Sequence, residues 1–144
     1  MRMYTNKSAL VVDDEPGTRL LLREALETLG MTVTEAVDGS DAIHKSLLSP
    51  FELTTMDILM PHVNGLDAIR AIRMVDPAQR IIVVTSCKEH AMLEAIRALH
   101  VAQIIHKPIR LQEFMAAVHA TLAGAPAAEP VSAIVVPREM TEGV

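Results

Sequence analysis

A doubly wound α/β fold, one parallel sheet sandwiched between layers of helices, is what this sequence predicts, and three observations carry the expectation. Short β-branched apolar runs alternate with helical periodicities, and the alternation repeats five times without interruption before residue 123. Two of the runs, A-L-V-V and I-I-V-V, are apolar at every position and stop on polar residues, as strands covered on both faces should. Half of the residues are hydrophobic yet only 2% are aromatic, so the core must be built from Leu, Ile, Val, Met and Ala, with the nine Met filling irregular gaps. Strict alternation makes each helix carry the chain back by a right-handed crossover and cover one face of the sheet.

The first strand is expected at 9–12, ending on Asp13 and Asp14. After Glu15-Pro16-Gly17, the residues Leu21, Leu22, Ala25, Leu26 and Leu29 recur at helical spacing, and Gly30 stands where a helix end favours positive φ. A second strand follows at 31–36, where Thr32, Val33 and Thr34 are β-branched. Asp38-Gly39 then turns into a helix whose apolar positions are Ala42, Ile43 and Leu47, with Leu48 as a further candidate and Pro50 as the stop. The third strand begins at Leu53 and ends on a single acid, Asp57; Met60-Pro61 and Asn64-Gly65 turn the chain away from it. Its helix, 66–74, offers Leu66, Ile69, Ala71 and Ile72 to the core before Asp76-Pro77. The fourth strand, from Ile81, stops on Thr85 and Ser86. Met92, Ala95, Ile96 and Leu99 mark the fourth helix, 103–105 the fifth strand, and Leu111, Phe114, Met115, Val118 and Leu122 the fifth helix.

Length and charge set further limits. The 144 residues suffice for one core of ordinary domain size and no second, so 1–123 is expected to form the domain and the Ala/Pro-rich 124–144 a tail or linker. Within that tail, 131–136 (V-S-A-I-V-V) is more apolar than an inert spacer, and both a linker and a docking segment remain open. A formal net charge of -5 without any Lys/Arg block argues against nucleic acid and other anionic partners. The single cysteine, Cys87, cannot form an internal disulfide, and neither a signal peptide nor a membrane-spanning run is legible. A soluble, cytoplasmic protein is expected.

In an open parallel sheet the strand C-termini meet in one crevice, where ligands bind. Asp13 and Asp14 after the first strand, Asp57 after the third, Thr85 after the fourth and Lys107 after the fifth converge there. Clustered carboxylates raise one another's pKa unless a cation intervenes, and all-oxygen donors point to a hard ion such as Mg²⁺, which leaves coordination positions for phosphate. Three acids, Mg²⁺ and Lys107 bring the site close to neutrality before any phosphoryl group arrives. A carboxylate can act as a nucleophile toward phosphorus, and Asp57, alone at its strand tip, is the best candidate. Thr85 and Lys107 could position and neutralise the transferred group.

V-V-D-D-E, M-D-I-L-M-P-x-x-x-G, V-V-T-S and K-P stand in that order, and with their spacing the chain resembles the receiver domain of two-component response regulators over 8–122. The resemblance implies a flavodoxin-like three-layer sandwich with strand order 2-1-3-4-5, which spacing alone does not fix. It implies that Asp57 accepts the phosphoryl group, that Asp14 binds Mg²⁺ directly and Asp13 through water, and that the Leu59 carbonyl completes the metal site. Thr85 would hydrogen-bond the phosphoryl oxygen, Lys107 would pair with it, and the Lys107-Pro108 peptide would be cis. The donor would be a histidine kinase or histidine phosphotransfer protein, and the output a protein target or a missing output domain; homodimerisation stays open.

Two departures stand out. Ile104 occupies the position, three before the lysine, where the family usually has Tyr or Phe, which leaves open how a switch would be read. Leu59 and Cys87, two residues beyond Asp57 and Thr85, are neither acids nor amides that could orient an attacking water, so a long-lived phosphoryl group is expected. Competing readings are a phosphorylation-independent pseudo-receiver scaffold and an aspartyl-nucleophile phosphohydrolase, although Leu59 stands where the latter needs an acid. Arg70, Arg73 and Arg80 read as a solvated face, His100 as a cation at a helix end, and the scattered His as no zinc site. Thr54 and Thr55, unusual in a buried strand, would need hydrogen-bond partners.

Overall fold

The computed structural model describes residues 3–124; the tail, including 131–136, lies outside the described residues. The chain alternates β1 (Ser8–Val12), α1 (Pro16–Thr28), β2 (Thr32–Ala36), α2 (Gly39–Leu48), β3 (Leu53–Met56), α3 (Gly65–Val75), β4 (Ile81–Thr85), α4 (His90–Arg97), β5 (Gln103–His106) and α5 (Leu111–Leu122). All strand pairs are parallel, in the order β2-β1-β3-β4-β5, the flavodoxin-like arrangement.

Period-two alternation splits the core into two layers. Leu10, Val12, Met56, Ile81 and Val83 face α2, α3 and α4, packing on Ala42, Ile69, Ile72 and Ile96. Ala9, Val11, Leu53, Ile82 and Val84 face the other way, onto Leu22 and Leu26 of α1 and Phe114 and Val118 of α5. β1, β3 and β4, in the middle of the sheet, are therefore buried on both faces, which is why their sequences show no polar-apolar alternation.

Local chemistry fixes the helix ends. The Asp38 and Asn64 side chains accept the Asp41 and Asp67 amides at 2.8 and 2.9 Å, capping α2 and α3. At the end of α1, Gly30 at φ 96 lets its own N–H reach Glu27 O while the Met31 N–H reaches Leu26 O, a Schellman ending.

Several side chains depart from the periodicity reading. Leu21 and Leu111 are exposed, and Leu47 and Leu48 are 59% and 70% exposed, because the last turn of α2 overhangs the sheet instead of lying on it. Ala68, fully buried, takes an inward place on α3 that the sequence reading gave to Ala71, which is only partly buried. Arg73 is no solvated cation: its guanidinium donates to Leu99 O, His100 O and Gln79 O, and burial pushes its pKa down. His100 sits at φ 60, a left-handed turn that ends α4, which is its structural job. Thr54 finds its partner in Gln79 at 3.0 Å, whereas Thr55 Oγ1 is buried with no partner among the described residues.

Between α1 and β2, Glu35 accepts from Arg23 at 2.7 Å and from Arg19 at 2.9 Å. Hydrogen bonds from Arg23 first, then Arg19, hold the Glu35 carboxyl below its ordinary 4.5 against the opposing effect of burial. A depressed carboxylate stabilises the fold above its unfolded pKa, and that contribution is lost as pH falls through the folded value. Glu35→Gln is therefore expected to cost about 1 kcal/mol at neutral pH. Urea titrations should show the difference from wild type closing below pH 4.5; an equal difference in strong acid would refute the assignment.

Candidate phosphoacceptor and metal site

Asp13, Asp57 and Lys107 each follow the last residue of a strand and Thr85 closes one, so the sheet ladder sets their positions. The Asp13 N–H bonds Ala36 O at 3.2 Å, the Asp57 N–H bonds Val12 O at 3.0 Å, and the Lys107 N–H bonds Thr85 O at 2.9 Å. These bonds extend the parallel pairing one residue past β1, β3 and β5 and bring their tips side by side. The Lys107-Pro108 peptide is cis.

Carboxylate oxygens of Asp13, Asp14 and Asp57 lie within 4.8 Å of one another, the one such acid, His or Cys cluster of metal-binding geometry among the described residues. Asp13 and Asp57 are buried, 1% and 4% exposed, while Asp14 opens to solvent. Lys107 reaches over from β5, its Nζ 2.9 Å from Asp13 Oδ2 and 3.2 Å from Asp57 Oδ2. The contact with Asp57 is a hydrogen bond. The contact with Asp13 is an ion pair off the hydrogen-bonding direction, so Asp13 Oδ2 remains a buried oxygen without a hydrogen bond. Asp13 Oδ1 accepts the Glu15 amide at 2.9 Å, and Asp57 Oδ1 accepts the Leu59 amide at a longer 3.4 Å.

The electrostatics follow from three acids facing one cation. Burial, the largest influence, raises the Asp13 pKa; Lys107 and the Glu15 amide work against it, and the charge on Asp57 adds to it. Burial alone would lower the Lys107 pKa, but Asp13 and Asp57 together outweigh it and hold the ammonium above its ordinary value. The residues fit a divalent cation: an under-bonded buried oxygen, an exposed third carboxylate and an all-oxygen donor set are what a hard ion such as Mg²⁺ requires.

A charge deficit of this kind predicts that Asp13→Asn stabilises the metal-free protein by about 1–2 kcal/mol, since it removes a buried, under-bonded charge. The same change should shrink the rise in melting temperature that MgCl₂ gives wild type. Thermal unfolding in chelator and in Mg²⁺ tests both, and a less stable variant in chelator would contradict the charge count.

Thr85, fully buried at the end of β4, accepts the Cys87 amide at 3.2 Å, and no acceptor among the described residues takes its hydroxyl proton. Cys87 is itself buried and free. Ile104 is half-buried, packed against the α2–α4 side of the core. Two contributors escaped the sequence reading. The Glu15 backbone amide, not its side chain, orients Asp13. Gly65, read only as a turn residue, packs directly behind Asp57, close to Ile58 Cα.

Oxygen donors gathered at the C-terminal end of a doubly wound sheet, with one lysine among them, are the arrangement of a phosphoacceptor signalling domain. The chain belongs to the response regulator receiver domain family, whose model matches residues 9–119. It is 39% identical over 94 residues to the chemotaxis protein CheY of Thermotoga maritima, covering 64% of this chain and 78% of the relative. With the chemotaxis protein CheY of Bacillus subtilis it shares 32% identity over 115 residues, covering 78% and 95%. Its fold matches the receiver domain of the sensor histidine kinase PA1611 from Pseudomonas aeruginosa PAO1, solved with a magnesium ion coordinated in the active site cleft. That match has a TM-score of 0.74 at 23% identity and covers 81% of this chain and 98% of the other. No helix among the described residues is long and apolar enough to cross a membrane.

Proposed function

We propose that Asp57 is the phosphoacceptor of a signalling switch formed by residues 1–123, with 124–144 as a tail or linker. The observation that carries this reading is Lys107 bridging Asp13 and Asp57 in a cluster of three carboxylates. An Asp57 carboxylate oxygen attacks the phosphorus of a phosphohistidine on a histidine kinase or phosphotransfer protein. The O–P bond forms as the P–N bond breaks; the electron pair leaves with the imidazole, which takes a proton from water, and Asp57 becomes an acyl phosphate.

Asp13, Asp14 and Asp57, with the Leu59 carbonyl, would hold Mg²⁺, which when bound neutralises charge on the phosphoryl oxygens. Lys107 turns from Asp57 to a phosphoryl oxygen, and the Thr85 hydroxyl donates to another. Asp57 is favoured over Asp13 as nucleophile because it stands alone at the tip of β3, whereas Asp13 and Asp14 pair at the tip of β1 as the metal end. The output is a protein contact, to a downstream target or an output domain.

Incubation with acetyl phosphate and Mg²⁺ should add one base-labile phosphoryl group, read by intact mass. No adduct would favour a scaffold, and rapid multiple turnover of phosphate a hydrolase. Because Leu59 and Cys87 supply no group to orient water, the adduct should persist for many minutes after the donor is removed in excess Mg²⁺. Decay within seconds would sink the link between those two residues and slow hydrolysis.

A further inference from the structure

Glu35 needs one cation to balance its charge and has two. Arg23, with a side chain 42% exposed, is an ordinary surface partner that also reaches Glu27 at 2.9 Å. Arg19 is different: its side chain is only 15% exposed, and its guanidinium divides between two targets. Nε donates to Glu35 Oε1 at 2.9 Å, and Nη1 donates to the backbone carbonyl of Asp13 at 2.8 Å. A guanidinium so far out of water costs stability unless its pairing is used well, and a surface ion pair alone would not require it.

The carbonyl it reaches lies where the sheet ladder stops. The Asp13 N–H on Ala36 O ends the β1–β2 pairing, and among the described residues no backbone N–H reaches Asp13 O and the Asp14 N–H has no backbone acceptor. Arg19 therefore holds the Asp13–Asp14 peptide, and because that unit is planar, fixing its oxygen also fixes Asp14 N and Cα. The Asp13 side chain has its own restraints in the Glu15 amide and Lys107. Asp14 is exposed, and the chain bends there before α1 begins at Pro16. Glu35, next to Ala36 in β2, keeps Arg19 from turning out to solvent.

We propose that Arg19 is a positioning residue for Mg²⁺: it aims the Asp14 carboxylate at those of Asp13 and Asp57 without touching the ion. This role rests on the Mg²⁺ reading of the carboxylate cluster. Positioning and charge predict opposite signs. Removing a cation near three acids should tighten Mg²⁺ binding by electrostatics, whereas loosening Asp14 should weaken it.

Titrating MgCl₂ into the isotope-labelled full-length chain, well below its melting temperature, gives a Kd from the Glu15 and Leu59 amides, which donate to Asp13 Oδ1 and Asp57 Oδ1. Arg19→Met keeps an apolar stem and drops the guanidinium, and its Kd should rise about tenfold or more. Arg19→Lys, the milder change for folding, keeps the charge but not the planar group that spans both acceptors, and its Kd should rise as well. Arg23→Met takes the same charge from the same carboxylate without touching Asp13, and should bind Mg²⁺ as wild type does. An unchanged or lowered Kd in Arg19→Met, or an unchanged one in Arg19→Lys, would overturn the positioning role. So would an equal loss in Arg23→Met, which would make the effect one of the ion pair in general. Wild-type amides that do not respond to MgCl₂ at all would overturn the metal-site reading, and the positioning role with it.

Discussion

Asp57→Asn is expected to abolish the phosphoryl adduct outright while leaving the protein folded. The change is isosteric and keeps an oxygen to accept the Leu59 amide, now at 3.4 Å, so the β3 tip has no reason to move. What it removes is the charge and nucleophilicity that attack on phosphorus requires; a neutral amide oxygen supplies neither. It also relieves the crowding of three acids around one lysine, so the metal-free variant should melt no lower than wild type. Intact mass after acetyl phosphate and Mg²⁺ would show unmodified protein. The informative failure is an adduct that persists and maps to Asp14, the exposed neighbour with a carboxylate within 4.8 Å of those of Asp13 and Asp57. That outcome would leave the pocket intact and assign the nucleophile wrongly.

The strands and their acidic tips could be read directly because buried parallel strands are written as short runs of apolar and β-branched residues, and each stops at a charged residue or a polar Thr-Ser pair. Asp13, Asp57 and Thr85 therefore lay at legible positions, and Lys107 followed from the fifth strand. Strand order was different: no residue spacing distinguishes β2-β1-β3-β4-β5 from other right-handed windings, and it came from family resemblance. Periodicity overreached at helix ends. Leu47, Leu48 and Leu111 keep helical spacing but lie on terminal turns, beyond the edge of the sheet they would otherwise cover. Long-range polar partners were invisible for a similar reason. Arg73 serves carbonyls 26 and 27 residues away, and Thr54 is satisfied by Gln79 across the start of β4. Nothing local to Arg73 distinguishes it from a solvated arginine. The backbone amides that orient Asp13 and Asp57 leave no mark in the sequence at all, because any residue but proline supplies one.

Gly65→Ala should be among the most destabilising single-methyl changes in the domain, costing about 3 kcal/mol or more. Gly65 opens α3, and its N–H closes the loop onto Ile58 O at 3.0 Å, so helix and strand tip are pinned together. A methyl there would fall on the Asp57 carbonyl oxygen and come within 2.7 Å of Ile58 Cα. Both atoms are backbone, and both belong to the segment that presents the phosphoacceptor, so neither can rotate aside as a side chain would. The helix-propensity gain of alanine, about 1 kcal/mol, opposes this and is too small to win. Gly17, early in α1, is the internal control: no atom lies within 4 Å of a methyl added there, so Gly17→Ala should be neutral or stabilise by about 0.5–1 kcal/mol. Urea denaturation of the two variants should therefore give shifts of opposite sign or very different size. If Gly65→Ala unfolds within about 0.5 kcal/mol of wild type, the close packing of α3 behind Asp57 is not what holds the loop. If it is destabilised as expected, slower adduct formation in the folded fraction would tie that packing to the chemistry at Asp57.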